Sequence, residues 1–158
     1  MVQTTITEND FMKRLFSIAA LAASLVFSCA AAKAETISPA LQSVVGSWLN
    51  DKGGIAELRI QNGKLYGKIV RAAKDADKSG LCKTCKGSLK DKPIAGLEFL
   101  YELAPDGDKW SGGGLVDVNT GIVYQGRVWT DKGGDSLSLR GYVGNPILGQ
   151  TVVWKRVK

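Results

Sequence analysis

Short runs of alternating apolar and polar residues recur along the chain, and each run ends at a turn-forming sequence. This alternation has the two-residue period of a β-strand with one buried face, and no helical period persists after residue 35. Eight such runs are present. They predict strands over residues 47–50, 55–61, 65–71, 97–103, 109–118, 122–130, 136–143 and 150–157.

The connections between these runs are rich in Gly, Asn, Asp and Pro, and only residues 72–96 form a long irregular segment. Asn62-Gly63 is a strong hairpin signal because both residues tolerate positive φ. Gly112-Gly113-Gly114 falls inside a predicted strand, where we expect a bulge or a sharp bend. Antiparallel strands with short connections cover their edges best by closing, so the pattern predicts an all-β, eight-stranded antiparallel up-and-down barrel.

An eight-stranded barrel has an interior that side chains can fill or that can hold one small ligand. Strand 122–130 carries large groups on both faces, so the parity of its residues does not identify the inner face. Two interpretations remain, a hollow barrel and a solid core. If it is hollow, the candidate ligand-binding residues are the aromatic and arginine side chains of the strands: Tyr66, Phe99, Tyr101, Trp110, Tyr124, Arg127, Trp129, Arg140 and Tyr142.

The first part of the chain has the pattern of a secretion signal. Lys13 and Arg14 precede an apolar run from Leu15 to Phe27, and Ala32-Lys33-Ala34 forms a small-x-small cleavage pattern. The run is shorter than the roughly 20 residues that a membrane-spanning helix needs. We therefore predict a cleaved signal peptide over residues 1–34, a lead-in over 35–45 and a barrel domain over 46–158.

Two details of this region stay open. Met12 stands directly before the basic residues, so we expect it to be the true start and residues 1–11 to be a misassigned beginning. A retained membrane anchor and lipidation at Cys29 are alternatives to cleavage after Ala34. Cleavage predicts a periplasmic or secreted protein.

The part after Ala34 is moderately basic, with 18 Lys and Arg against 13 Asp and Glu. An exported protein rarely meets nucleic acid, so we expect no nucleic-acid partner. Much of the excess lies between Arg71 and Lys92, where seven basic residues stand against three acidic ones. Such a run is either a solvated loop or a patch that attracts an anionic envelope surface.

Histidine is absent from the whole sequence. Its absence excludes Ser-His-Asp and Cys-His catalysis and removes the commonest zinc ligand. We therefore predict that the protein is not an enzyme, and we expect no cofactor and no metal site.

Cys82 and Cys85 form a Cys-x-x-Cys pair, for which three interpretations compete. A zinc site needs further soft or nitrogen ligands that one chain without histidine does not supply. A redox site needs the first thiolate at a helix N-terminus. The favoured hypothesis is a local disulfide that pins the loop in an oxidising compartment.

Gly46-x-Trp48 opens the first predicted strand, and Trp154 and Arg156 lie in the last. First and last strands are neighbours in a closed meander, so we expect these residues at the barrel floor, with the Arg156 guanidinium stacked over the Trp48 ring. Gly-x-Trp with a basic residue on the closing strand is similar to the lipocalin and avidin class of ligand-holding barrels. The resemblance implies a lipocalin/calycin-like fold.

A second resemblance covers most of the part after Ala34 and rests on eight sequence blocks in order. The blocks are Gly46-x-Trp48, Gly63-Lys64-Leu65-Tyr66-Gly67-Lys68-Ile69-Val70, Cys82-x-x-Cys85-Lys86-Gly87, Lys92-Pro93-Ile94-x-Gly96-Leu97, Trp110-x-Gly112-Gly113, Gly121-x-x-Tyr124, Leu139-Arg140-Gly141-Tyr142 and Thr151-x-x-Trp154-x-Arg156. They resemble the exported bacterial family catalogued as domain of unknown function 2147. This resemblance implies a lipocalin-like fold and export but no activity.

These observations lead to one main functional hypothesis and two alternatives. The main hypothesis is a periplasmic binding protein that holds a small hydrophobic or amphipathic molecule in the barrel. The first alternative is an envelope interaction protein that docks through the loop 71–92. The second is a thiol-disulfide protein that uses Cys82 and Cys85.

Overall fold

Eight antiparallel strands, each paired with the next along the chain, close into a barrel in the computed structural model, which describes residues 37–158. The strands are β1 Gly46–Leu49, β2 Ile55–Gln61, β3 Lys64–Arg71, β4 Glu98–Asp106, β5 Lys109–Val116, β6 Val123–Thr130, β7 Ser136–Tyr142 and β8 Gln150–Arg156. This architecture confirms the predicted barrel. The predicted signal over residues 1–34, with Cys29, lies outside the described residues and stays a prediction.

Helical structure is scarce in this part of the chain. One short helix, α1 Pro39–Gln42, precedes β1, and Ser38 caps it by accepting a hydrogen bond from the Leu41 amide. Short 3₁₀ turns occupy Gly87–Leu89 and Pro146–Leu148. Within residues 37–158, no helix is long and apolar enough to cross a membrane.

The glycine run in β5 forms the predicted bulge, with a register shift against β6 between Gly112 and Leu115. Gly112 and Gly113 have positive φ angles of 79° and 57°. A Cβ atom at Gly113 would lie 2.2 Å from the carbonyl oxygen of Tyr101, and one at Gly114 would meet the Tyr101 ring. Only glycine fits this close approach of β4 and β5, which bends the wall of the barrel.

The two ends of the barrel differ in their connections. At one end, which we call the closed end, turns of two to five residues follow β2, β4 and β6. The other end, the open end, carries the connections after β1, β3, β5 and β7, including the long segment 72–97. The closed half holds a dense core, whose large side chains are fully buried: Trp48, Leu58, Leu65, Leu103, Trp110, Val128 and Leu137.

Helix α1 covers the closed end and is held there by indole N–H groups. Trp48 Nε1 donates to the Val44 carbonyl at 2.9 Å, and Trp110 Nε1 donates to the Leu41 carbonyl at 3.0 Å. Leu41 and Val44 are buried against the core. Buried indole N–H groups need partners, so each bond also satisfies a group that would otherwise destabilise the core.

Arg156 completes this floor. Its guanidinium lies 4.2 Å from the centroid of the Trp48 ring, in the stacked arrangement expected from the sequence. The same group donates hydrogen bonds to the carbonyl oxygens of Ser43, Val45 and Gly134. One side chain therefore joins β8, β1, the segment after α1 and the turn before β7.

The Arg156→Lys variant tests this joint. Lysine keeps the charge but cannot span three carbonyl groups or stack as a plane, so we expect the free energy of unfolding to fall by about 2–4 kcal/mol. Urea denaturation measures the change. Lys155→Gln on the outer face of the same strand is the control, with an expected change within about 0.5 kcal/mol. Equal stability of the two variants would contradict the role given to Arg156.

Candidate functional site

A cavity of about 440 Å³ opens inside the barrel at its open end. This volume falls within the roughly 300–1,000 Å³ range of small-molecule sites. Its wall is apolar and includes residues of six strands and Ile94 of the connection after β3: Ala56, Ile69, Ile94, Phe99, Leu115, Val116, Leu139, Gly141, Val152 and Trp154. The barrel is therefore packed at one end and hollow at the other.

The size of the inward-facing residues explains this division. The closed half contains the large indole rings of Trp48 and Trp110, whereas Ala56 and Gly141 face the cavity in the open half. Val152 lines the cavity and is 52% exposed, so a side chain of the inner face reaches open space. Small inward-facing residues therefore leave a cavity at the open end, whereas large ones fill the interior at the closed end.

Two aromatic rings belong to the cavity wall. The ring centroids of Phe99 and Trp154 lie 5.7 Å apart with the planes tilted by 33°. Phe99 is an extra residue between two paired positions, because Gly67 pairs with Leu100 and Lys68 pairs with Glu98. This bulge turns both Phe99 and Leu100 inward, and both are buried.

Polar residues form the lip of the cavity. They include two cations, three aspartates and three uncharged residues. The cations are Lys52 and Arg71, the aspartates are Asp51, Asp75 and Asp117, and the uncharged residues are Asn50, Asn119 and Gln150. Arg71 is positioned by a hydrogen bond from its Nε to the Gly53 carbonyl at 2.9 Å. The apolar wall suits the body of a ligand, and the lip suits a polar group that stays near water.

The segment 72–97 reaches over the open end and contributes Ala73, Ala76 and Ile94 to the cavity wall. Its residues 80–94 are ordered by backbone hydrogen bonds, among them Ile94 to Gly80 at 2.8 Å and Cys82 to Lys92 at 2.8 Å. The Thr84 hydroxyl donates to the Val118 carbonyl at 2.8 Å, which fastens the segment to the β5–β6 turn. The segment forms a fixed wall of the site.

Cys82 and Cys85 form a disulfide within this segment, with Cα atoms 5.4 Å apart. Both cysteines are buried, at 0% and 2% exposure, and no helix begins at Cys82. A redox site needs an accessible sulfur, so this environment favours the disulfide that pins the loop. Among residues 37–158, no group of Cys, Asp or Glu is arranged to hold a metal ion.

Of the nine predicted ligand-binding residues, only Phe99 lines the cavity. Trp154, which we assigned to the floor with Trp48 and Arg156, lines it as well. Trp110 lies in the floor instead, where it holds α1. Both predicted positions are therefore corrected: Trp110 lies in the floor and Trp154 in the cavity wall.

Three predicted aromatic residues lie on the outer face of the barrel. The Arg59 guanidinium lies 5.5 Å from the centroid of the Tyr66 ring, and Lys109 Nζ lies 4.7 Å from that of Trp129. The Tyr101 ring covers Gly114. Tyr124 lies beside Gly141, and Tyr142 is buried next to Gly149, but neither residue lines the cavity.

The two predicted arginines also point outward. Arg127 contacts Asp106 and Ser111, and the hydrogen bond from Arg127, with one from Ser111, lowers the pKa of Asp106 below its ordinary value. Arg140 donates to the carbonyl oxygens of Pro146 and Ile147 and to the Thr151 hydroxyl. Neither guanidinium faces the cavity, and the arginine at its lip is Arg71.

The cavity residues that the sequence analysis missed are mostly small or aliphatic. A signal was present in β7, where Leu137, Leu139 and Gly141 alternate with polar residues and Tyr142. The side chains on this face become smaller from Leu137 to Gly141, in the direction from the packed core to the cavity. Of the seven predicted aromatic residues, three lie on the outer face and only Phe99 lines the cavity.

The residues that form the barrel, 46–156, match the model of a family described as "Uncharacterized protein conserved in bacteria (DUF2147)". A solved structure, protein HP1028 from Helicobacter pylori, described as belonging to the lipocalin family, is similar with a TM-score of 0.63 and 24% identity. The similarity covers 73% of this chain and 83% of that chain and supports the fold alone. No curated protein matches the chain.

Removal of the disulfide tests its structural role. In the Cys82→Ala/Cys85→Ala variant, the unfolded loop gains entropy, so we expect the free energy of unfolding to fall by about 2 kcal/mol. Urea denaturation measures the loss, and the wild type under reducing conditions should show a similar one. Catalysis of insulin reduction by the wild type would contradict a purely structural pair.

Proposed function

We propose that this chain, which belongs to the bacterial family described as uncharacterized proteins conserved in bacteria (DUF2147), is a non-enzymatic protein that binds one small, mostly apolar molecule in its barrel. The observation that carries this proposal is the cavity of about 440 Å³ with its aliphatic and aromatic wall. The lipocalin-like barrel supports the proposal at the level of the fold.

The wall favours a hydrophobic or amphipathic ligand. Phe99 and Trp154 offer flat apolar surface, and the aliphatic residues around them bury further area from water at about 25 cal/mol per Å². A polar group at one end of the ligand would lie at the lip beside Arg71 or Lys52. Three lip aspartates disfavour a ligand with several negative charges.

The absence of histidine and the apolar wall support a binding role over catalysis. The charged groups at the cavity are confined to the lip, where solvent screens them. We also propose that the protein works outside the cytoplasm, because Met12 to Ala34 has the pattern of a secretion signal.

Native mass spectrometry of the protein purified from its own periplasm tests occupancy directly. We expect a bound small molecule that is released on denaturation. Repeated recovery of the empty protein, together with failure to bind any apolar probe, would overturn the proposal.

A pair of neighbouring substitutions tests the location. Val152 faces the cavity and Val153 faces outward on the same strand, and both are more than half exposed. The Val152→Trp change fills the cavity, so we expect affinity for the fluorescent probe N-phenylnaphthylamine to fall at least about tenfold, which corresponds to about 1.4 kcal/mol. Fluorescence titration measures the affinity.

Val153→Trp is the matched control, and it should bind the probe as the wild type does. Both variants should retain the free energy of unfolding of the wild type within about 0.5 kcal/mol, because the positions are exposed. Equal probe affinity in the two variants would place the probe outside the cavity.

A further inference from the structure

The β7–β8 turn, residues 143–149, exposes apolar side chains to solvent at the open end. Val143 is 71% exposed, Ile147 81% and Leu148 83%. The turn is nevertheless ordered, because Asn145 accepts a hydrogen bond from the Ile147 amide and Arg140 donates to the Pro146 and Ile147 carbonyls. Two large aliphatic side chains are therefore held outward on a fixed backbone.

These residues belong to a wider apolar band on one side of the open end. The pairing of Gln125 with Tyr142 brings the start of β6 next to Val143. Ile122 and Val123 at that start are 46% and 51% exposed. The apolar band consists of Ile122, Val123, Val143, Ile147 and Leu148.

The band lies next to a group of lysines. Ile122 and Val123 share a surface groove with Lys86 and Leu89 of the segment 72–97. The lysines of this segment at positions 83, 86, 90 and 92 are exposed, and Lys83 is paired with Asp91 at 3.0 Å. Exposed apolar residues and the cation of Lys86 thus lie side by side at the open end, and the other three lysines belong to the same segment.

The charge also differs between the two ends of the barrel. The four open-end connections, residues 50–54, 72–97, 117–122 and 143–149, carry seven Lys against five Asp. The three closed-end turns, residues 62–63, 107–108 and 131–135, carry one Lys against three Asp. The connections at the open end are therefore more basic than the turns at the closed end.

We propose that the open end docks on an anionic lipid bilayer, with Ile147 and Leu148 in the boundary between headgroups and acyl chains and the lysines beside lipid phosphates. Apolar residues flanked by cations suit this boundary, where burial and attraction to anionic headgroups act together. A second copy is a poorer occupant because the exposed lysines of two open ends would repel each other.

Docking in this orientation directs the cavity mouth toward the bilayer. Gln150 lies on the lip of the cavity and directly follows the β7–β8 turn. An amphipathic molecule would then pass between bilayer and cavity with little exposure to water. The docking itself goes beyond the proposed ligand binding and does not depend on it.

Flotation of the exported protein with lipid vesicles tests docking. We expect binding to vesicles of phosphatidylcholine and phosphatidylglycerol in equal parts, weaker binding to pure phosphatidylcholine, and a decrease as salt rises. The variants Ile147→Ser/Leu148→Ser and Lys86→Glu/Lys92→Glu should each lower the affinity for the anionic vesicles at least about tenfold.

Matched controls separate docking from folding and from ligand binding. Val153→Ser removes an exposed apolar residue from the barrel wall, and Lys132→Glu reverses a charge at the closed end; both should bind vesicles as the wild type does. Val152→Trp should lose the apolar probe and retain the vesicles. The proposal would be overturned if the protein did not bind the vesicles or if all variants bound them equally. It would also be overturned if the substitutions at Ile147 and Leu148 abolished self-association of the protein and left vesicle binding unchanged.

Discussion

The Arg156 guanidinium, stacked on the Trp48 ring, holds the closed end of the barrel together. β8 pairs with β1 at two positions, Trp48 with Arg156 and Leu49 with Lys155, and the Val157 amide donates to the Ser47 carbonyl directly after them. The guanidinium also binds three carbonyl groups around the closed end. This contact helps to close the barrel and fixes its floor, so the cavity lies at the other end of the interior.

The interior changes from solid to hollow along the barrel axis. Trp48 and Trp110 occupy the closed half and hold α1 beneath them, while Ala56 and Gly141 leave space in the open half. A barrel that is packed throughout has no site, and one that is hollow throughout loses its core. The distribution of side-chain sizes lets one small domain hold both a stable core and a cavity.

The open end combines three features that the fold places together. The disulfide-pinned segment completes the cavity wall, its lysines make this end positive, and the β7–β8 turn presents Ile147 and Leu148. These features come from segments far apart in sequence. They meet because alternate connections of an up-and-down barrel all lie at the same end.

Several features were predictable from the sequence alone: the number and order of the strands, the Asn62-Gly63 hairpin, the bulge at Gly112 to Gly114 and the floor pair Trp48 and Arg156. These features follow from local periodicity, turn chemistry and the neighbourhood of first and last strands, which are readable along the chain. The inward-facing side of each strand was not predictable in this way, because both faces of β6 carry large groups and bulges change which residues face inward. The extra residue at Phe99 turned this ring into the cavity, whereas Tyr66 and Trp129 lie outside under cations. The cavity forms where the side chains that share one cross-section of the barrel are too small to fill it. Which side chains share a cross-section is set by the register of the paired strands, and the sequence does not show that register.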